Sequence, residues 1–279
     1  MRPTEPLHQN GRLWGTPPTL PQRPSMPPPP PPAPVRSFVC AKWGTKYPAA
    51  EVNRLYRALA RVTQGPFQLI CVTDDASGLS SDIEAVPIPD LPVLGNAVMN
   101  HGWRKLTLFS PALRQALAGP QLFLDLDVVL LGRLERFFTY DSAFAVIKDY
   151  RPVRYRNRWA GNTSVFFFDG GRDYGVYNRL QVLGHEVTER YRNEQEFLCD
   201  VMRQQRLLRY WPQGWCASWK HDCVPLFPRS LYQSPEAPPE ARVLVFHGRP
   251  KPEEAVEGVG AKWYRPMRPA PWLLRYLDT

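Results

Sequence analysis

Gln121-Leu-Phe-Leu-Asp-Leu-Asp-Val-Val-Leu-Leu131 decides how the chain reads, because it sets two acids one residue apart in an otherwise apolar run. A run this short with β-branched residues fits a strand buried on both faces. Alternation along a strand places Asp125 and Asp127 on one face. Two unpaired carboxylates buried there would cost several kcal/mol each or give up their charge. The expectation is that the strand ends here and the pair meets a cation. In an open α/β sheet the carboxyl edge of the strands is where ligands bind. Mg²⁺ or Mn²⁺, which take carboxylates together with substrate phosphates, fits such a pair. The plainer alternative is a pair of capping or ion-paired aspartates facing Arg133 or Lys148.

Working outward, Ser37–Ala41, Phe67–Val72, Ile83–Ile88, Phe144–Ile147, Ser164–Phe168 and Val243–Phe246 read as further strands. Val52, Leu55, Tyr56, Leu59 and Val62 recur at helical spacing within Glu51–Val62. Helices are also expected at Trp103–Leu117, with a break at Ser110-Pro111, and at Val176–Leu183 and Asn193–Gln205. Strands alternating with helices predict an α/β domain, a mostly parallel Rossmann-like central sheet covered by helices on both faces. That domain is expected over residues 36–279. Thirteen of the 32 prolines lie in the first 35 residues, ending in the run Pro27–Pro32. Without amide hydrogens and with fixed φ, residues 1–35 predict an extended, disordered tail, either a ligand for a proline-binding groove or a passive leader.

The 279 residues are 43% hydrophobic and 22% charged, enough apolar side chain for a sizeable core, which excludes a fully disordered chain. Five cysteines without C-x-x-C spacing argue against a disulfide framework and for a reducing compartment. Apolar stretches are broken well before the ~18 residues of a membrane span, and the N-terminus has no apolar secretory core. The expectation is a soluble, cytoplasmic protein. A net charge of +9 favours anionic partners (nucleic acid, acidic lipid or a phosphate-bearing small molecule), unless it serves only solubility.

With these residues in view, the sequence over about residues 37–252 resembles the GT-A glycosyltransferases, in particular the glycogenin and lipopolysaccharide galactosyltransferase group (family 8). Leu124-Asp-Leu-Asp-Val128 matches that group's D-x-D, which holds Mn²⁺ against the diphosphate of a nucleotide sugar. His247-Gly-Arg-Pro-Lys-Pro252 resembles its late H-x-G-x-x-K-P element, here as H-G-x-x-K-P. The resemblance implies a single GT-A domain and hexose transfer from a nucleotide sugar, a UDP-sugar, to an acceptor glycan, lipid or protein. It favours retention of configuration. It implies Asp125, Asp127 and His247 as ligands of Mn²⁺ or Mg²⁺. It places Cys40, Ala41, Lys42, Trp43, Tyr47 and Asp74 around the base and ribose, and Lys105, Leu126, Gly248 and Lys251 with Asp125 along the nucleotide. It sets Asn162, Glu194 and Gln195 against the sugar.

The chain departs from the group's pattern at two points. Glu194-Gln195 stands where relatives carry Asp-Gln, and Glu253 stands where an aromatic follows Lys-Pro. Asn193 with Glu196 also reads as an ordinary capping box. Trp215 and Trp219 either line the acceptor side or belong to the core. The arginines at 151, 154, 156 and 158 read as a phosphate-closing loop or a solvated turn. Cys216, His221 and Cys223 lack a fourth ligand at zinc spacing. A sugar-phosphate nucleotidyltransferase is the rival chemistry, but Lys42-Trp-Gly-Thr-Lys46 is too poor in glycine for its phosphate loop. A nucleic-acid-binding module ranks last, because the aspartate pair would repel phosphate unless metal were bound.

Overall fold

In a computed structural model of the chain the described residues are 35–91, 102–150, 157–261 and 266–277. The expected proline-rich tail up to residue 34, and residues 151–156 of the expected arginine loop, lie outside them. The strands are β1 (Arg36–Lys42), β2 (Phe67–Thr73), β3 (Ile83–Pro87), β4 (Pro120–Leu124), β5 (Val128–Leu130), β6 (Phe144–Lys148), β7 (Gly161–Asp169), β8 (Leu208–Tyr210), β9 (Cys216–Ser218) and β10 (Val243–Val245). The α-helices are α1 (Ala49–Val62), α2 (Glu135–Phe138), α3 (Val176–Leu183), α4 (Glu186–Arg190), α5 (Glu194–Gln204), α6 (Pro252–Glu257) and α7 (Leu274–Leu277).

Seven strands form one sheet in the order β3-β2-β1-β4-β7-β6-β8, and β5-β10-β9 form a small second sheet. In the large sheet β7 runs against both β4 and β6, while the β1–β2, β2–β3, β1–β4 and β6–β8 pairs are parallel. The sheet is therefore mostly parallel with one reversed strand. Alternation splits its side chains between two cores. Phe38, Cys40, Leu69, Cys71, Leu122 and Leu124 pack with Val52, Leu55 and Leu59 of α1. Val39, Ile70, Val72 and Phe123 pack on the other face with Leu180 of α3 and Phe197, Leu198 and Val201 of α5. Burial on both faces is why these strands read as near-continuous apolar runs. Each large side chain so buried contributes roughly 1.5–3 kcal/mol.

The helix at the first site-bearing stretch is tighter than expected. Gly102–Phe109 is 3₁₀ rather than α, and a second short 3₁₀ turn covers Pro111–Leu113. Trp103, Lys105, Leu106, Thr107 and Leu108 are all buried, so the segment has no solvent face on which an α-helical period could settle. The break falls at Ser110, whose Oγ accepts from the Ala112 amide at 3.2 Å.

The apolar run from 121 to 131 is not one strand. β4 ends at Leu124, Leu126-Asp127 turn, and β5 pairs with β10 in the other sheet. Leu126 is buried in the core between the two aspartates. The chain thus crosses from one sheet to the other across the acidic pair.

Candidate active site

A cavity of about 610 Å³ opens at the carboxyl ends of β1 and β4. Trp43 and Tyr47 of the loop after β1 line it, with Asp125, Leu126 and Asp127. Lys105, Glu194 and Gln195 complete the wall with Gly102 and residues 44–46. This is the edge at which parallel sheets bind ligands.

Asp125 follows β4 directly, and its amide donates to the Ser164 carbonyl at 2.9 Å, tying it to β7. Its Oδ1 lies 2.8 Å from Lys105 Nζ. That ammonium, almost wholly buried, also donates to the Thr163 carbonyl at 3.1 Å and sits 4.9 Å from the Phe123 ring centre. A register shift between β6 and β7 at Val146/Ile147 bulges the segment that supplies Thr163. Asp127 accepts from the Tyr47 hydroxyl at 3.1 Å and lies 4.0 Å from Lys251 Nζ. Burial, and then the nearby Asp125 charge, raise the Asp127 carboxyl above the ordinary range, with Lys251 pulling the other way. Burial and the same two aspartates push the Tyr47 phenol up.

His247 follows β10 in the small sheet and does not line the cavity, although the Asp125 charge acts on it. Its imidazole, 5.2 Å from the Tyr150 ring, is lowered to about 4, first by burial and then by the Lys220 charge. Its Nε2 is buried and has no hydrogen-bond partner among the described residues. A neutral imidazole with a free buried nitrogen and two carboxylates are donor types that suit a Mn²⁺-type cation. Yet among the described residues no three His, Cys, Asp or Glu side chains stand close enough together to hold a metal ion. The donor chemistry fits, while the three groups do not form a ready-made cage.

Glu194 and Gln195 open α5. Asn193 caps it as expected, its Oδ1 accepting from the Glu196 amide at 3.1 Å, and the Glu196 carboxylate accepts from the Arg192 amide at 3.1 Å. Glu194 is buried against Gly102, where a Cβ would lie 2.5 Å from Glu194 Oε1. Gln195 Oε1 accepts from the Thr163 amide at 3.1 Å, which leaves its Nε2 hydrogens to offer.

Other expected site residues stand apart from the cavity. Cys40 is fully buried in the core beside Cys71. Lys42 is buried and donates to the Asp75 carbonyl at 2.8 Å. Asn162 Oδ1 is taken by the Ser164 amide at 3.0 Å. Asp74 acts on the loop, accepting from Gly44 N at 2.9 Å and Arg104 at 3.2 Å. Gly248 and Lys251 do not line the cavity, although Lys251 reaches Asp127. Glu253, the departure after Lys-Pro, pairs with Arg54 and so fastens α6 to α1. Trp219 is buried, stacked 5.1 Å from Phe246, and Trp215 packs 5.2 Å from Phe137, so both tryptophans belong to core packing. All five cysteines are buried and unbridged. Neither Gly102 nor the Thr163 carbonyl is legible in the sequence, since both matter through backbone approach.

The described architecture is the GT-A glycosyltransferase fold. The crystal structure of the glycosyltransferase GlyE of Streptococcus pneumoniae TIGR4 superposes with a TM-score of 0.58 at 12% identity, over 88% of this chain and 61% of that one. An active-site mutant of LgtC gives 0.51 at 13% identity, over 81% of this chain and 91% of that one. The bifunctional WbbM gives 0.50 at 12% identity, over 78% and 46%. The chain spans about three fifths of the GlyE chain's length. Identities this low carry the fold alone. No protein-family profile matches the sequence, and no curated protein does. No helix among the described residues is long and apolar enough to cross a membrane.

Proposed function

We propose that the chain is a metal-dependent glycosyltransferase that moves a hexose from a UDP-sugar to an acceptor glycan, lipid or protein. The observation that carries this reading is the single cavity on which Asp125, Asp127, Lys105, Glu194 and Gln195 converge. Mn²⁺ or Mg²⁺, held by Asp125, Asp127 and His247, would supply positive charge to the donor diphosphate. Lys105 and Lys251 add ammonium groups beside the aspartates, suited to charge building on the departing nucleoside diphosphate. Trp43 offers an aromatic face to the base, and Asp74 fixes the loop beneath it through Gly44. Glu194 offers a carboxylate to sugar hydroxyls, and Gln195, held at Thr163, presents amide hydrogens toward the reacting sugar. A retaining reaction is the outcome the resemblance favours.

The test is a screen of nucleotide sugars for Mn²⁺-dependent thermal protection, since a ligand of the native state raises the melting temperature. A UDP-sugar should protect, and Asp125→Ala with Asp127→Ala should abolish both protection and turnover. Undiminished turnover in the double variant, or pyrophosphate release from a nucleoside triphosphate, would overturn the reading.

A further inference from the structure

We infer that Lys105 and Lys251 act as built-in counter-ions to the aspartate pair, so that divalent metal and diphosphate enter the cavity together and metal alone is held back. The inference rests on the metal–nucleotide reading above and concerns how that site is loaded.

Lys105 is no surface lysine that happens to lie nearby. Its side chain is 7% exposed, and its Nζ is fixed at 2.8 Å from Asp125 Oδ1 and 3.1 Å from the Thr163 carbonyl. A buried ammonium stripped of its carboxylate is strongly unfavourable. A cation arriving alone at Asp125 must therefore displace Lys105 from it or sit against a like charge in a poorly screened place. Asp127 repeats the arrangement more loosely, with the Tyr47 hydroxyl at 3.1 Å and Lys251 Nζ at 4.0 Å. Two carboxylates facing two ammoniums sum to zero, so a lone divalent ion gains little net attraction from the set.

A diphosphate changes that balance. Its oxygens give both ammoniums new partners, and the freed carboxylates then favour the metal. Lys251 is suited to such a swing, being 38% exposed at the N-cap of α6. Lys105 needs only a small movement, because its side chain already lines the cavity. The coupling must be reciprocal: whatever factor UDP adds to metal affinity, metal adds to UDP affinity.

The experiment is a titration of free Mn²⁺ followed by its electron paramagnetic resonance signal, with the full chain, with and without UDP. Wild type should bind Mn²⁺ at least about tenfold more tightly with UDP than without it. Lys105→Met should strengthen binding of Mn²⁺ alone by about tenfold or more and weaken UDP, shrinking the coupling. Lys46→Met, which removes a charge from the same wall but is paired with neither aspartate, should change Mn²⁺ affinity less than about threefold. Lys251→Met, at a half-exposed position, should strengthen Mn²⁺ alone by a smaller factor, and it decides the matter if Lys105→Met does not fold. The inference is overturned if wild type binds Mn²⁺ equally with and without UDP. It is also overturned if the folded lysine variants leave binding of the ion alone unchanged or match Lys46→Met. Absence of Mn²⁺ binding even with UDP would instead sink the metal–nucleotide reading itself.

Discussion

Replacing Gly102 by alanine separates a demand of the site from a demand of the fold. A Cβ at Gly102 would stand 2.5 Å from Glu194 Oε1, 2.6 Å from its Cδ and 2.7 Å from Oε2. Ordinary contact begins near 3.4 Å, so the carboxylate must retreat by about 1 Å. What yields is the far end of a side chain rather than backbone, so the stability loss should sit at the low end of overpacking, about 1 kcal/mol. A displacement of ~1 Å in a positioning group can lower turnover by about 10²-fold. Gly170 supplies the contrast: its Cβ would meet the Leu117 carbonyl oxygen at 1.8 Å, and backbone cannot swing aside. Gly102→Ala should therefore keep its melting temperature within a few degrees and lose about 10²-fold in donor turnover, while Gly170→Ala should lose the fold. The assays are thermal unfolding and UDP-sugar turnover. Full turnover in Gly102→Ala would refute a working role for the position of Glu194, and a collapse of its melting temperature would make Gly102 a packing residue.

The remaining expectations concern pH and stability. His247 is held neutral with its pKa lowered to about 4 against 6.5 unfolded, so the unfolded chain takes up the proton first as pH falls. Stability is then lost from about pH 6.5 downward through pH 4, by on the order of 3 kcal/mol from this group. His247→Asn should lose about 2–3 kcal/mol less than wild type between pH 7 and 4.5 in urea unfolding, and an identical loss would contradict the burial argument. Asp127 acts in the opposite sense, its raised pKa favouring the folded state as pH falls, and the comparison with wild type subtracts it. Phe166 is fully buried with Phe123 4.7 Å away and Phe168 5.4 Å away. Phe166→Ala should cost about 3–5 kcal/mol at unchanged urea m-value, and a loss below about 1 kcal/mol would disprove its place in the core. Asn193→Ala removes the α5 cap and should cost about 1 kcal/mol, read by the same unfolding curves; no change would show that solvent satisfies the Glu196 amide equally well.

What could be read in advance follows from how local the cause is. Val176–Leu183 was legible because its apolar spacing is bracketed by Gly175 and Gly184, and α5 because Asn193 announces its start. β8 and β9 have three residues each and exist only through partners distant in sequence, so no window of sequence shows them. The reversed β7 was equally hidden, since its direction depends on the excursion from β6 and not on its own residues. In the site, Asp125 and Asp127 were legible because acids in an apolar run need a reason. Cys40 and Lys42 were not, because the sequence does not say which side of β1 faces the cavity. Alternation sends Ala41 to the cavity side and turns Cys40 into the opposite core.

The acidic pair sits on a seam. Asp125 is carried by the large sheet through β4, whereas Asp127 leads into β5 and His247 leaves β10, both strands of the small sheet. The spacing of these three side chains is therefore governed by the tilt of one sheet against the other. Trp219, Phe246 and Leu273 pack together behind the small sheet, and the Phe246 amide donates to the Asp127 carbonyl at 3.3 Å. Trimming Leu273 should therefore shift Asp127 and His247 against Asp125 while leaving all three side chains in place, as loosening a hinge pin misaligns a lock whose parts are all intact.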